Sequence, residues 1–428
     1  MRAPGPRSPT WVMGGAVVSG AATYVLLVVV GRAVGPAGYA SFSLFWSAAV
    51  IASLGAFLPV EQVLATRTAA GAWRGASAFA RGVRTAVPLA VGAVLVHLVA
   101  WLLRDGASLD AVAWAAVALF VPTVAGFVWQ FPARGVLAGD GRRRAYATVV
   151  LVDAAVRASI AAALWLSGTT SVAPYLAAVA VSSVACAVVG RTAVRRASAS
   201  GEADDVVDLR DAPTDARRAV ADLVVAMLGM QVLLNSGPVV AGLVAAAPGA
   251  ATRAGHLLAA VTLARLPVFV TQAAQALYVA PLAGMRSRRD GDGVRALVRR
   301  LAAVVLGAGA LTVVVGVLAG PSLVPIVFGA DYEVGAGDLL VVVLGVAAYL
   351  VASVSNDLAV ALGLHRWTGP AWLAGVVAAV VVALVVPDLA ARVTLPLLVG
   401  AGVAGLVLVP VVLLSVRRLP HVPEGARP

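Results

Sequence analysis

Four ionisable residues of this chain sit where charge is costly and therefore has a job. Arg265, Asp153, Arg157 and Asp357 all lie inside apolar stretches long enough to cross a bilayer. A charge near the bilayer centre costs at least about 2.5–3.5 kcal/mol. Arg265 falls about 16 Å of helix rise into its stretch, near the midplane. No acid stands three or four residues to either side of it. Its partner must come from another helix, as a structural ion pair with Asp357 or Asp153, or from an anionic ligand. Asp153 and Arg157 are spaced i, i+4 with the acid first, which lets them pair on one helix face. That pair either lowers the insertion cost or faces a cavity open to protons or substrate. Asp357, beside Asn356, is a candidate ion-coupling carboxylate, although intramembrane acids also serve as structural partners.

Further polar groups gather around these. Glu61 and Asp222 stand at stretch ends, where a side chain reaches the interface. Gln231, Asn235, Gln272 and Gln275 supply interhelical hydrogen-bonding groups to the seventh and eighth stretches. Gly237-Pro238 should kink or break the seventh, a feature tolerated where backbone lines a cavity. Several chemistries are absent. All 32 basic residues are arginine, so no P-loop lysine and no lysine Schiff base exist. Four isolated histidines and the single Cys186 give no metal spacing and no disulfide. Asp290-Gly291-Asp292 has a D-x-D form, but a D-G turn in an arginine-rich loop is the simpler reading. No cofactor, catalytic triad or nucleotide fingerprint is expected.

The elements that position these residues are transmembrane helices. Apolar residues make up 61% of the chain and charged residues 12%, against roughly 25% charged in soluble domains. With about 20 residues per crossing, twelve spans fit, at approximately 11–31, 41–61, 85–103, 111–130, 145–166, 172–190, 219–246, 254–283, 299–319, 337–363, 367–387 and 393–416. The long eighth and tenth runs are expected to tilt or to extend beyond the bilayer. The first run exceeds a signal-peptide core and reads as a retained helix. Four arginines, Arg32, Arg104, Arg253 and Arg392, fall in odd-numbered gaps, and two fall inside stretches. The other 26 fall in the termini and even-numbered gaps, with Arg299 and Arg300 at the very start of the ninth stretch counted in the gap before it. This positive-inside pattern places both termini in the cytoplasm. It also accounts for the net charge of +12 without nucleic acid, and adds attraction to anionic membrane lipids. A polar cytoplasmic linker at 191–218 separates an N-terminal six-helix bundle, 1–190, from a C-terminal one, 219–428.

Four segments resemble one family. Gly31 to Leu44, reading G-R-A-V-G-P-A-G-Y-A-S-F-S-L, looks like the turn after the first helix of polysaccharide-biosynthesis flippases in the multidrug/oligosaccharidyl-lipid/polysaccharide exporter superfamily. Arg134 to Tyr146 is similar to that family's R-G-x-L-x-G segment after its fourth helix. Ala264-Arg265-Leu266-Pro267 with Pro281-Leu282 resembles its eighth helix, and Pro325 to Tyr332 the segment after its ninth. There are departures. Ala40 replaces a glycine, and Ser236-Gly237-Pro238 stands where many relatives carry an acid.

The resemblance implies an all-α polytopic fold of twelve helices, two six-helix bundles about a central cavity, working by alternating access in the bacterial plasma membrane. It implies a polyprenyl-diphosphate-linked glycan as substrate, and polysaccharide-assembly proteins as partners. Arg265 would then meet the diphosphate through its planar guanidinium fork, with Arg32 a second candidate near the outer mouth. A drug or cation antiporter of the same superfamily is the alternative. A membrane-embedded glycan enzyme is less well supported, because no gap expected outside the membrane exceeds about 20 residues.

Overall fold

The computed structural model describes residues 9–106, 109–199, 213–244, 249–288 and 290–419. Among the described residues the chain is helical almost throughout and contains no strand. Ten runs are long and apolar enough to cross a membrane, and a bent pair, Leu223–Leu234 with Ser236–Val244, makes an eleventh. The first run, Val18–Ala69, contains 52 residues. Drawn straight it would be about 78 Å long, more than twice a hydrocarbon core of about 30 Å. It is therefore long enough for two crossings, which brings the candidate spans among the described residues to the expected twelve.

The first crossing pair shows how sequence makes a corner. Helix α1 (Pro9–Val50) is interrupted at Gly35, whose φ of 66° and ψ of 177° are non-helical. Glycine takes that conformation without a Cβ clash, and Pro36 starts the next helical segment with φ already set. The interhelix gap read from the sequence is thus this one corner. The chain runs on through a π-helical segment, Ile51–Phe57, into α2 (Leu58–Ala69). Four more helices follow: α3 (Gly75–Asp105), α4 (Ala111–Gly139), α5 (Arg143–Leu166) and α6 (Val172–Ala199).

The remaining helices are α7 (Pro213–Leu234), α8 (Ser236–Val244), α9 (Ala250–Ala264), α10 (Leu266–Ser287), α11 (Gly291–Phe328), α12 (Ala336–Ala361), α13 (Thr368–Val385) and α14 (Leu389–Arg417). The run expected as one long eighth span is interrupted at Arg265, where α9 ends and α10 begins. Both ends of the polar 191–218 stretch are helical, and its middle, 200–212, lies outside the described residues.

Packing defines two compact units. Unit 1 comprises Met1–Gln231 and Ala241–Gly255, and unit 2 comprises Val232–Val240 and His256–Pro428. In unit 1, α4 packs against α2, α3 and α6. Helices in lipid gain no hydrophobic drive from meeting, so close contact rests on small residues. Gly135 and Gly139 of α4 supply it: a Cβ on Gly135 would lie 2.7 Å from the Glu61 carbonyl oxygen, and one on Gly139 would lie 2.7 Å from that of Ala65. In unit 2, α12 and α14 form the centre, with α13 packed on α14 and α11 on α12.

Candidate functional site

In unit 2, two helix breaks meet at one arginine. Pro238 has no amide hydrogen, so the carbonyl of Leu234, four residues earlier, loses its helical donor. The seventh span ends its first helix there and bends by 57°. The bend falls at Asn235, three residues before the proline, and Val239 N–H resumes the ladder by donating to Asn235 O at 3.0 Å. Arg265, at the break between α9 and α10, fills the vacancy. Its Nη2 donates to Leu234 O, and its Nη1 donates to Asn235 Oδ1 at 3.3 Å. Both acceptors are neutral, so these bonds leave the positive charge of the half-buried guanidinium in place.

Asp357 is held separately. Gln275 Nε2 donates to its Oδ1 at 2.7 Å, and the Tyr278 hydroxyl donates to its Oδ2 at 2.6 Å. The neighbouring Asn356 Oδ1 accepts from Trp372 Nε1 at 2.9 Å. The structural pairing of Arg265 with Asp357 that the sequence allowed is not formed among the described residues. Arg265 and Asp357 instead each hydrogen-bond to neutral groups. Tyr349, fully buried, stands within electrostatic reach of both Arg265 and Asp357.

In unit 1 the structure brings Asp153 and Arg157 together. Arg157 Nη1 lies 3.3 Å from Asp153 Oδ2, and its Nη2 donates to Thr23 Oγ1 at 3.0 Å. The guanidinium also lies over the Trp46 ring, 5.0 Å from its centroid. Arg157 is thus contacted on three sides by α1 and α5, while the Asp153 side chain keeps 25% exposure. Arg32 lies on α1 just before the Gly35 corner and is exposed.

Unit 1 holds a second cluster that local spacing does not reveal. The apolar pattern puts Glu61 at a stretch end and Arg134 just after the fourth stretch. In the structure α4 continues to Gly139, which carries Arg134 inside the bundle. Glu61 is 5% exposed, with its Oε2 3.0 Å from Arg134 Nε. Tyr146 O–H donates to Glu61 Oε1 at 2.9 Å, and Arg134 Nη2 donates to the Tyr146 oxygen at 3.2 Å. The R-G-x-L-x-G pattern was the available signal. Gly135 and Gly139 bring α4 onto α2, and Arg134 then reaches the acid on the helix they contact.

Other singled-out residues have local roles. Asp290 caps α11, accepting from Gly293 N–H at 2.8 Å, and Asp292 pairs with Arg295 at 2.7 Å. His97 Nε2 accepts from Trp101 Nε1 at 3.1 Å, and Cys186 Sγ donates to Val149 O at 3.2 Å. Among the described residues no group of three metal-ligating side chains occurs. The side chain of Asp222 lies outside the described residues.

No family model matches the chain. It is 28% identical over 396 residues to an uncharacterized protein of Mycobacterium tuberculosis, covering 90% of this chain and 86% of that one. It is 26% identical over 412 residues to an uncharacterized protein of Mycobacterium bovis, covering 92% of each. Among solved structures it is similar to an inward-facing multidrug resistance MATE family transporter of the MOP superfamily. That match has a TM-score of 0.70 at 15% identity, over 94% of this chain and 98% of that one. An outward-facing MATE family transporter matches with a TM-score of 0.64 at 14% identity, over 97% of both. A MOP superfamily transporter from Pyrococcus furiosus matches with 0.64 at 15% identity, over 96% and 95%. That protein is described as having a binding pocket of reversed polarity that suggests a different function. The chain is a multi-pass membrane protein with the MATE transporter fold.

Proposed function

We propose that this protein flips a polyprenyl-diphosphate-linked oligosaccharide across the bilayer, from the cytoplasmic to the outer leaflet, by alternating access. The supporting observation is Arg265, a half-buried cation at the meeting of two helix breaks, held there by neutral acceptors. A diphosphate is an anion that cannot cross hydrocarbon unaided, and a guanidinium offers it paired N–H donors. The polyprenyl tail stays in lipid while the polar head follows the protein. Asp153, Arg157 and Arg32 are further candidate contacts for the glycan head, and Asp357 and Asp153 are the candidate ion-coupling carboxylates. A transporter for cationic drugs would be served by acids at these places, since like charge repels its substrate.

The test is reconstitution into liposomes with a fluorescent short-chain polyprenyl-diphosphate-N-acetylglucosamine, read by quenching of the outer leaflet. Wild type should move the probe, Arg265→Gln should not, and Arg265→Lys should retain part of the rate. Uptake of a cationic dye by the same vesicles, with no movement of the lipid probe, would favour the antiporter instead.

A further inference from the structure

One face of unit 1 has both a head and a tail. On α6, Val188, Val184 and Val181 are 57%, 43% and 50% exposed. They lie three, seven and ten residues before Arg191, so all four side chains share one face of the helix. The rise from Val181 to Arg191 is about 15 Å, half of a hydrocarbon core of about 30 Å. That is the reach of one leaflet's acyl chain. Arg195, one turn further on, continues the face, and both arginines are exposed.

The charged end is also built. The Arg191 guanidinium carbon lies 5.0 Å from the centroid of Trp129 on α4. Phe79 of α3 braces that indole from the side, with ring centroids 5.8 Å apart. Stacking on a ring fixes the guanidinium plane while leaving its N–H edge available. No carboxylate lies within ion-pair distance of Arg191 or Arg195 among the described residues. An oriented cation with no carboxylate partner among the described residues, above an apolar strip one leaflet long, matches a lipid with an anionic head.

We propose that this face binds one anionic phospholipid, its phosphate held by Arg191 and Arg195 and an acyl chain lying along Val188, Val184 and Val181. The phosphate engages the guanidinium edges by charge-assisted hydrogen bonds, and Trp129 fixes the depth of the head at the interface.

The experiment is native mass spectrometry of the purified protein with dioleoylphosphatidylglycerol or dioleoylphosphatidylcholine. Wild type should retain one phosphatidylglycerol in preference to phosphatidylcholine. Arg191→Gln with Arg195→Gln should weaken that binding about 25-fold, roughly fivefold for each arginine lost at an anionic surface. Trp129→Leu should weaken it several-fold. Arg299→Gln with Arg300→Gln, on α11 of unit 2, should change it little. Inorganic phosphate and glycerol 3-phosphate should not displace the lipid, because they lack the chain. Equal loss in both arginine pairs, or no headgroup preference in wild type, would overturn the proposal. Displacement by inorganic phosphate alone would reassign the arginines to a soluble anion.

Discussion

Removing Arg134 should harm this protein far more than removing Arg134 and Glu61 together. The two charges stand 3.0 Å apart on side chains that are 17% and 7% exposed. At an effective dielectric of about 20, that separation gives an attraction of about 5.5 kcal/mol. Desolvation costs several kcal/mol for each ion, so the intact pair contributes little net stability. Arg134→Met removes the attraction and leaves the Glu61 carboxylate buried with only the Tyr146 hydroxyl as a donor. The expected cost is about 3–5 kcal/mol. At roughly 2–4 °C per kcal/mol for a unit of this size, the melting temperature should fall by about 6–20 °C. The double variant Glu61→Gln, Arg134→Met buries no charge and should recover more than half of that loss. Tyr146→Phe removes one hydrogen bond to a charged acceptor and should cost about 1.5–3 kcal/mol. Tryptophan-fluorescence melts of purified protein in detergent, run as a double-mutant cycle, measure all three. Additive losses, or an Arg134→Met shift below about 2 °C, would show that the two residues are not coupled in the folded protein.

Other perturbations follow from the same structure. Pro238→Ala restores a donor to Leu234 O, so it should straighten the 57° bend and release Arg265. Spin-label distances across the bend should lengthen, stability should rise by up to about 3 kcal/mol, and transport should fall. Gly135→Val places side-chain atoms against the Glu61 carbonyl and Leu64. Such overpacking should cost about 1–3 kcal/mol or more and lower folded yield in size-exclusion profiles. If Asp153 and Arg157 only pair structurally, Asp153→Asn and Arg157→Gln should each reduce abundance, and exchanging the two residues should partly restore it. Loss of transport at normal abundance in both single variants would instead place the pair in the mechanism. With Cys186 replaced, single cysteines at positions 170 and 335 should react with an impermeant maleimide added outside intact cells. Those at 140 and 290 should not.

The sequence alone determined what a bilayer selects for directly. Spans follow from apolar length, and the Gly35–Pro36 corner follows from two residues whose backbone preferences are local. Even the orphaned Leu234 carbonyl can be derived from Pro238, because a proline always deprives the residue four before it. Which side chain would answer that carbonyl was not legible. Arg265 lies 31 residues away, and only packing of the two broken helices brings it there. The same limit hid Glu61 and Arg134, which are 73 residues apart. Read locally, each stood near the end of an apolar stretch, where charge is common. Tertiary structure decided otherwise because α4 runs on to Gly139 and its glycines admit α2 to backbone contact. In lipid the partner of a charge is set by which helix comes close, and that distance is a property of the packed bundle.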